Sequence, residues 1–322
     1  MTQRYLVTGG AGFIGSNYVR GLFDGRWGVE PASVVVLDSL TYAGNLANIK
    51  SCSDDPRVSF VKGSITDSSL VATLLKEVDV VVHFAAESHV DRSINGSAVF
   101  VETNAVGTTV LLEAARKSDV KTFLHVSTDE VYGSVPLGSS IESDPLLPNS
   151  PYAASKASSD LIARSFFQTY GLDVRVTRCS NNFGPFQNIE KVIPLFITNL
   201  LNNKKVPLYG TGGNVRDWLH VDDHCRGIQL VIDKGRAGEI YNIGGGVELS
   251  NLELTHLILN TFGKSLDMVE PVADRLGHDL RYSVDCTKIT QQLGYFPSRS
   301  LNLDLPSLVE WYENNQSWWA EK

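Results

Sequence analysis

Cysteine is scarce in this 322-residue sequence: Cys52, Cys179, Cys225 and Cys286 stand far apart, with no CxxC pair. That pattern argues against a disulfide framework and against a structural zinc site. It predicts free, buried thiols in a reducing cytosol and no bound metal. Long apolar runs are missing too. Stretches such as Ile193–Ile197 are too short to span a bilayer. Met1–Thr8 has no charged region leading into a long apolar stretch, so no secretory leader is expected. Basic charge is in deficit: 28 Lys+Arg against 36 Asp+Glu gives a formal net charge of −8. A general nucleic-acid or anionic-membrane binder is disfavoured, while a local basic pocket for a small anion is not. Internal repeats and low-complexity tracts are absent. The expectation is a soluble, cytoplasmic protein.

What is present supports a large core. Hydrophobic residues make up 43% and charged residues 20%, and the length suits two lobes. The first half alternates β-rich runs with helical patterns. Arg4–Thr8, Ser33–Asp38, Val58–Val61, Val78–Phe84, Thr122–Ser127 and Asp173–Arg178 read as strands, nearly continuous in apolar residues. Such runs suit a parallel sheet covered on both faces. Helices are predicted at Gly15–Asp24, Ser68–Lys76, Asn104–Lys117 and from Tyr152 to about Tyr170. Strand–helix alternation of this kind implies a doubly wound α/β sheet with ligands along one edge. After Cys179 the rhythm changes. Asn181–Gln187 reads as a loop, Ile193–Leu201 as a helix and Pro207–Gly213 as a strand and turn. The predicted division is 1–179, with a return segment near 218–241, for the large α/β domain. Residues 180–217 and 242–322 make a smaller, mixed α/β lobe for the substrate.

Gly9, Gly12 and Gly15 follow the first strand and open the first helix in TGGAGFIG. Without side chains there, the backbone can turn tightly and admit a pyrophosphate to the helix N-terminus, where free N–H groups and the dipole favour an anion. Asp38 ends the second strand about twenty residues later, where a carboxylate accepts from adenosine ribose hydroxyls and repels a 2′-phosphate. The combination predicts a Rossmann-type domain that takes NAD rather than NADP.

Tyr152 and Lys156 lie four residues apart in YAASK, a spacing that puts both on one helix face. A free tyrosine titrates near ~10 and is a poor base at neutrality. An adjacent ammonium is expected to favour the phenolate, so that Tyr152 can take the proton of a substrate hydroxyl while a hydride leaves. Thr128, after the fifth strand, is placed to orient the same oxygen. With the glycine loop upstream, the sequence resembles the extended short-chain dehydrogenase/reductase family over essentially its whole length.

Asp129 and Glu130 follow Thr128 in STDEVYG. A simple dehydrogenase or 4-epimerase has no use for both; a dehydratase does. Once C4 of a hexose is a ketone, its C5 hydrogen is acidic. One carboxylate can remove it while a carboxylic acid protonates the departing C6 hydroxyl, each role worth ~10²–10⁴ in rate. Crowded like charges raise one pKa and so help create the required asymmetry. STDEVYGS, AAESHVDRS, NSPYAASKASSD, CSNNFGP, NVRDWLHVDDH and RLGHDLRY together are similar to the dTDP-glucose 4,6-dehydratases, within the NAD-dependent epimerase/dehydratase branch of that family.

That resemblance implies a redox-neutral dehydration of dTDP-glucose to dTDP-4-dehydro-6-deoxy-glucose, for deoxysugar biosynthesis, with NAD tightly bound and recycled. It implies Thr128, Asp129, Glu130, Tyr152 and Lys156 as catalytic residues, Glu130 as base and Asp129 as acid. Alongside the glycines and Asp38, the NAD site would take Phe13, Ile14, Leu40, Thr41, Ser64, Ile65, Ala85, Ala86, Thr103 and Asn182, with Tyr152 and Lys156. The sugar nucleotide would be held by Ser88, Thr128, Asn181, Lys191, Val192, Pro207, Asn242, His278 and Tyr282. Arg216 and Arg275 suit diphosphate oxygens by their fork geometry. Tyr209 is open to two readings, against the base or in the core. Ser64 replaces a usual acid, Phe183 a usual tyrosine and Leu276 a usual proline. An alternative keeps the fold but acts on another nucleotide sugar, such as a UDP-hexose, as 4,6-dehydratase or 4-epimerase. The helices at Asn104–Lys117 and Tyr152–Tyr170 are apolar on more than one face, and the resemblance implies that they pair with their copies as a four-helix homodimer interface. His83, His125 and His220, beside apolar runs, are expected to be satisfied core histidines.

Overall fold

Strand β1 (Arg4–Thr8) starts a seven-stranded sheet in the computed structural model, which describes residues 2–320. It continues with β2 (Ser33–Asp38), β3 (Val58–Lys62), β4 (Val80–His83), β5 (Thr122–Thr128) and β6 (Val174–Cys179). The seventh strand, Ile240–Ile243, returns from far along the chain to pair with β6. The spatial order is β3, β2, β1, β4, β5, β6, then Ile240–Ile243, all parallel. Every residue of β4 and β5 is buried, as expected for largely apolar strands in a sheet covered on both faces. One face packs Tyr18, Leu22, Ile228 and Val231; the other packs Leu111, Leu112, Phe123 and Phe166. The chain leaves β1 for β2 on one side, while β4 lies on the other. This reversal opens a crevice at the strand C-termini, where ligands bind in such sheets.

The helix Pro151–Tyr170 carries its own boundary signals. Ser150 accepts from the Ala153 amide, Pro151 occupies the first turn and left-handed Gly171 ends it. Beneath it lies an ionic network with almost no solvent access. Arg178 on β6 donates through Nε to Asp160 at 2.8 Å and through Nη1 to Tyr132 Oη at 2.8 Å. His125 Nε2 sits 3.3 Å from the other Asp160 oxygen.

The smaller lobe holds a three-stranded sheet of Glu248–Ser250, Val215–His220 and Asn181–Phe183, and a parallel pair, Val206–Tyr209 with Val269–Val272. Its core gathers Phe183, Phe196, Trp218, Ile258 and Tyr312. No helix among the described residues is long and apolar enough to cross a membrane. The four cysteines are free thiols, three of them buried. His83 is satisfied by Thr8 at 2.7 Å and Thr108 at 2.9 Å, and His220 accepts from the Asp222 amide. His125 reaches Ser159 at 3.1 Å but leaves Nδ1 buried without a partner.

Three expectations need correction. Asn181–Phe183 is a strand, not a loop, because it pairs in parallel with Trp218–His220. The helix expected from Asn104 begins earlier and passes through a π-turn, Val101–Gly107, before the regular helix Thr108–Arg116. The Thr108 and Thr109 hydroxyls donate to the Asn104 and Ala105 carbonyls there, competing with regular helix bonding. Finally, residues 242–322 do not all belong to the smaller lobe. Asn242 and Ile243 finish the returning strand, and Ile289, Leu293 and Tyr295 pack into the core of the large sheet.

Candidate active site

The crevice is a cleft of about 460 Å³ running from the glycine loop to the C-terminal ends of β5 and β6. Gly9 adopts φ +69, and a Cβ on it would stand 2.6 Å from the Ala85 amide nitrogen, so the loop approaches β4 closely only with glycine there. A Cβ on Gly15 would meet the Gly9 carbonyl at 2.3 Å. Gly12 caps the helix Phe13–Phe23 without any side-chain hydrogen bond, leaving first-turn amides available to an anion. Asp38 is held by backbone amides: Oδ2 accepts from Ala11 at 3.0 Å and Oδ1 from Leu40 at 2.8 Å. Burial pushes its carboxyl up, and the amide bonds oppose that rise.

Phe13, Ile14, Thr41, Ser64, Ile65, Ala85, Ala86, Thr103 and Asn182 line the same cleft, with Gly9, Gly12, Gly15 and Asp38. Leu40 does not line it; its contribution is the amide on Asp38, from a backbone at φ +54. A residue passed over in the sequence, Asn104, ties the loop after β4 in place. Its side chain accepts from Glu87 N at 2.9 Å and donates to Glu87 O at 3.0 Å and to Ser155 at 2.8 Å. A lone asparagine at a π-turn carries no sequence signal of that role.

Thr128 ends β5 and caps the turn Asp129–Tyr132, accepting from the Glu130 amide at 3.3 Å and donating to Asp129 Oδ1 at 3.2 Å. The cap aims two consecutive carboxyls into one crevice, and their surroundings differ. Burial, then the neighbouring Glu130 and Asp217 charges, push Asp129 well above the usual carboxylate range. Glu130 is also raised by burial, but Arg275, Arg216 and Lys191 pull it back. Asp129 is thus the more readily protonated of the two, and Glu130 is the one that faces three cations.

Tyr152 lies in the first turn of its helix, its ring edge-on to Phe100 at 6.4 Å. Lys156 follows one turn later on the same helix. Its Nζ donates to the Val126 carbonyl at 2.8 Å, and burial lowers it to about 8. Burial raises the Tyr152 phenol well above its usual value, Glu130 and Cys179 raise it further, and a hydrogen bond with Thr128 lowers it. Tyr152 and Lys156 share one face of the helix, and the Val126 carbonyl fixes the ammonium on that face.

Ser88, Asn181 and Lys191 line the cleft, and Lys191 Nζ donates to the Ser88 carbonyl at 3.1 Å. Arg216 is buried, donating to the Val215 and Asp279 carbonyls with its guanidinium 4.3 Å over the Tyr282 ring. His278 pairs with Asp274 at 2.6 Å, and the half-exposed Tyr209 stands edge-on to it at 6.4 Å. Val192, Pro207, Tyr209, Arg216, Arg275, His278 and Tyr282 lie outside the cleft lining. Asn242 does not line the cleft: fully buried, it accepts from Tyr132 Oη at 2.8 Å and donates to the Ser140 and Asp285 carbonyls, so both amide hydrogens are committed within the protein.

Several buried polar atoms of residues lining the cleft have no protein partner: Asp129 Oδ2, Ser180 Oγ, Asn181 Oδ1 and Gln187 Oε1. Buried groups of this kind are normally satisfied, so a cluster of them fits a polar ligand. The cradle suits a dinucleotide, with an anion-binding helix start, an oriented ribose acceptor and orphaned polar atoms at the far end.

Residues 6–304 match the family model described as GDP-mannose 4,6 dehydratase. A curated relative from Streptomyces antibioticus, named dTDP-glucose 4,6-dehydratase, is 59% identical over 316 residues, covering 98% of this chain and 93% of the relative. A crystal structure of the Streptomyces venezuelae dTDP-glucose 4,6-dehydratase, with NAD and dTDP bound, superposes with a TM-score of 0.97 at 60% identity, over 98% of both chains. A UDP-glucuronic acid 4-epimerase from Bacillus cereus superposes at 0.89 with 28% identity, over 97% of this chain and 99% of its own.

Proposed function

This chain belongs to the GDP-mannose 4,6 dehydratase family, and on that premise we propose that it is an NAD-dependent dTDP-glucose 4,6-dehydratase. Bound NAD supplies hydride chemistry, accepting hydride from C4 of the hexose and returning it to C6. The chain's own side chains move the protons. Tyr152, hydrogen-bonded with Thr128, takes the C4 hydroxyl proton. Glu130 removes the C5 hydrogen once C4 is a ketone, and Asp129 delivers a proton to the C6 hydroxyl, which leaves as water. C5 is then reprotonated. Arg216, Arg275 and Lys191 hold the nucleotide diphosphate and also keep Glu130 the more acidic of the two carboxyls.

The observation that carries this reading is the unequal carboxyl pair on one turn beside Tyr152. A 4-epimerase moves a hydride and needs no acid–base pair at C5 and C6. The test is incubation of purified protein with dTDP-glucose, UDP-glucose and UDP-N-acetylglucosamine, with products weighed by mass spectrometry. Loss of water from dTDP-glucose is expected. Water loss from the uridine sugars alone would overturn the nucleotide assignment, and no loss from any would overturn the reaction.

The proposed setting is the cytoplasm, and the proposed assembly is a homodimer. Val101 and Val106 on the π-turn and Leu161 on the helix Pro151–Tyr170 are each about half exposed, an apolar strip that a second copy would cover.

A further inference from the structure

Tyr282 stands between two carboxyls. Its hydroxyl donates to Asp279 Oδ2 at 2.7 Å and lies 3.5 Å from Glu130 Oε2. Tyr282 is 3% exposed and Asp279 5%. The arrangement is fixed from several directions. Asn149 donates to the other Asp279 oxygen at 2.6 Å, and Arg216 donates to the Asp279 backbone carbonyl at 3.0 Å. The same guanidinium covers the Tyr282 ring. A tyrosine buried only for packing needs one hydrogen-bond partner; this one has a second carboxylate within reach. Burial, then the Glu130 charge, push its phenol far above the usual value, so it does not act as an anion. A phenol held neutral moves a proton only by accepting one as it gives one up.

We propose that Tyr282 and Asp279 form a proton relay behind Glu130, drawing off the proton that Glu130 takes from C5 of the sugar. The inference rests on the dehydratase reading. When the C5–H bond breaks, its electron pair forms the C5=C6 bond, and the C6–O bond breaks as Asp129 supplies the proton of the departing water. Glu130 then holds the C5 proton. That proton passes to Tyr282 Oη while the Tyr282 hydroxyl proton passes to Asp279 Oδ2. One O–H bond forms and one breaks at the phenol, Glu130 returns to its carboxylate and Asp279 becomes the neutral acid. Tyr282 and Asp279 act through Glu130 and are positioning residues. The 3.5 Å step suits a contact that tightens as the base becomes protonated.

The relay gives the C5 hydrogen a way out before C5 is reprotonated, and isotope labelling reads that directly. dTDP-glucose carrying deuterium at C5 is turned over in ordinary water by the full-length enzyme, and the product is weighed. The wild type is expected to lose the label. Tyr282→Phe keeps the ring under Arg216 but lacks the hydroxyl; it is expected to release water more slowly and to keep deuterium in most of its product. Asp279→Asn is expected to shift retention the same way, and it serves as the test if the first variant does not fold. A merely structural role would slow turnover without changing how the label partitions. Variant products as free of label as the wild type's would overturn the relay, as would a wild type that retains its label. A wild type that releases no water would overturn the dehydratase reading along with it.

Discussion

Replacing Glu130 by glutamine removes one charge and almost no volume, so its effects are electrostatic and chemical rather than steric. The amide cannot accept the C5 proton, and loss of a general base costs ~10²–10⁴ in rate, or about 3–5 kcal/mol of barrier. Hydride transfer from C4 does not use Glu130 as a base and should survive. Single-turnover mixing with dTDP-glucose should therefore show the near-ultraviolet absorbance of reduced nicotinamide rising and persisting, with little loss of water. A second consequence follows from the neighbours. The Glu130 charge raises the Tyr152 phenol, so its removal lowers that group and makes the phenolate easier to form. The pH profile of the oxidation step should move towards acid. Lys191, which Glu130 supports, should lose its proton more readily. A variant that dehydrates at the wild-type rate would refute the base assignment. An oxidation profile left in place or moved towards alkali would refute the electrostatic coupling.

Asp38→Ala strips the acceptor from the Ala11 and Leu40 amides, at about 1–3 kcal/mol for each buried donor left unpaired. Calorimetric titration should show weakened NAD binding and a smaller preference over NADP, and unchanged discrimination would overturn the ribose assignment. Arg178→Met leaves Asp160 buried without its cation and should cost about 3–5 kcal/mol in denaturant unfolding. In the wild type, burial pushes Asp160 up, but its bond with His125 and the Arg178 charge outweigh that and hold it at about 2. This lies below the value in an unfolded chain, so the stabilisation is full above about pH 4 and is lost as pH falls towards 2. Acid titration of folding should show that loss in the wild type and much less of it in Arg178→Met. Sedimentation at micromolar concentration should give a dimer, and a purely monomeric species would overturn the proposed interface.

The residues that announced themselves in the sequence act through local geometry. The glycine loop, Asp38 at the end of β2, the Thr128-Asp129-Glu130 turn and the four-residue step from Tyr152 to Lys156 need only a strand end or one helix face to define them. What stayed illegible depends on partners distant in the chain. Asn181–Phe183 reads as loop until Val215–His220 comes alongside. Lys156 is an ordinary neighbour of Tyr152 in sequence, yet the Val126 carbonyl takes its ammonium. Asn242 looked available for the sugar nucleotide because nothing nearby reveals that Tyr132, Ser140 and Asp285 consume its amide. Asp279 left a trace, an acid within the basic RLGHDLRY stretch, but its bond to Tyr282 becomes visible only in three dimensions.

The late return of Ile240–Ile243 has a consequence for synthesis on the ribosome. β6 ends at Cys179, and the strand that covers its open flank begins 240 − 179 = 61 residues later. At roughly 5–20 residues per second, translation leaves that flank bare for about 3–12 seconds, with unpaired amides and carbonyls ready to template another chain. Nascent fragments that stop before residue 240 should clump, and those that extend beyond residue 243 should be spared.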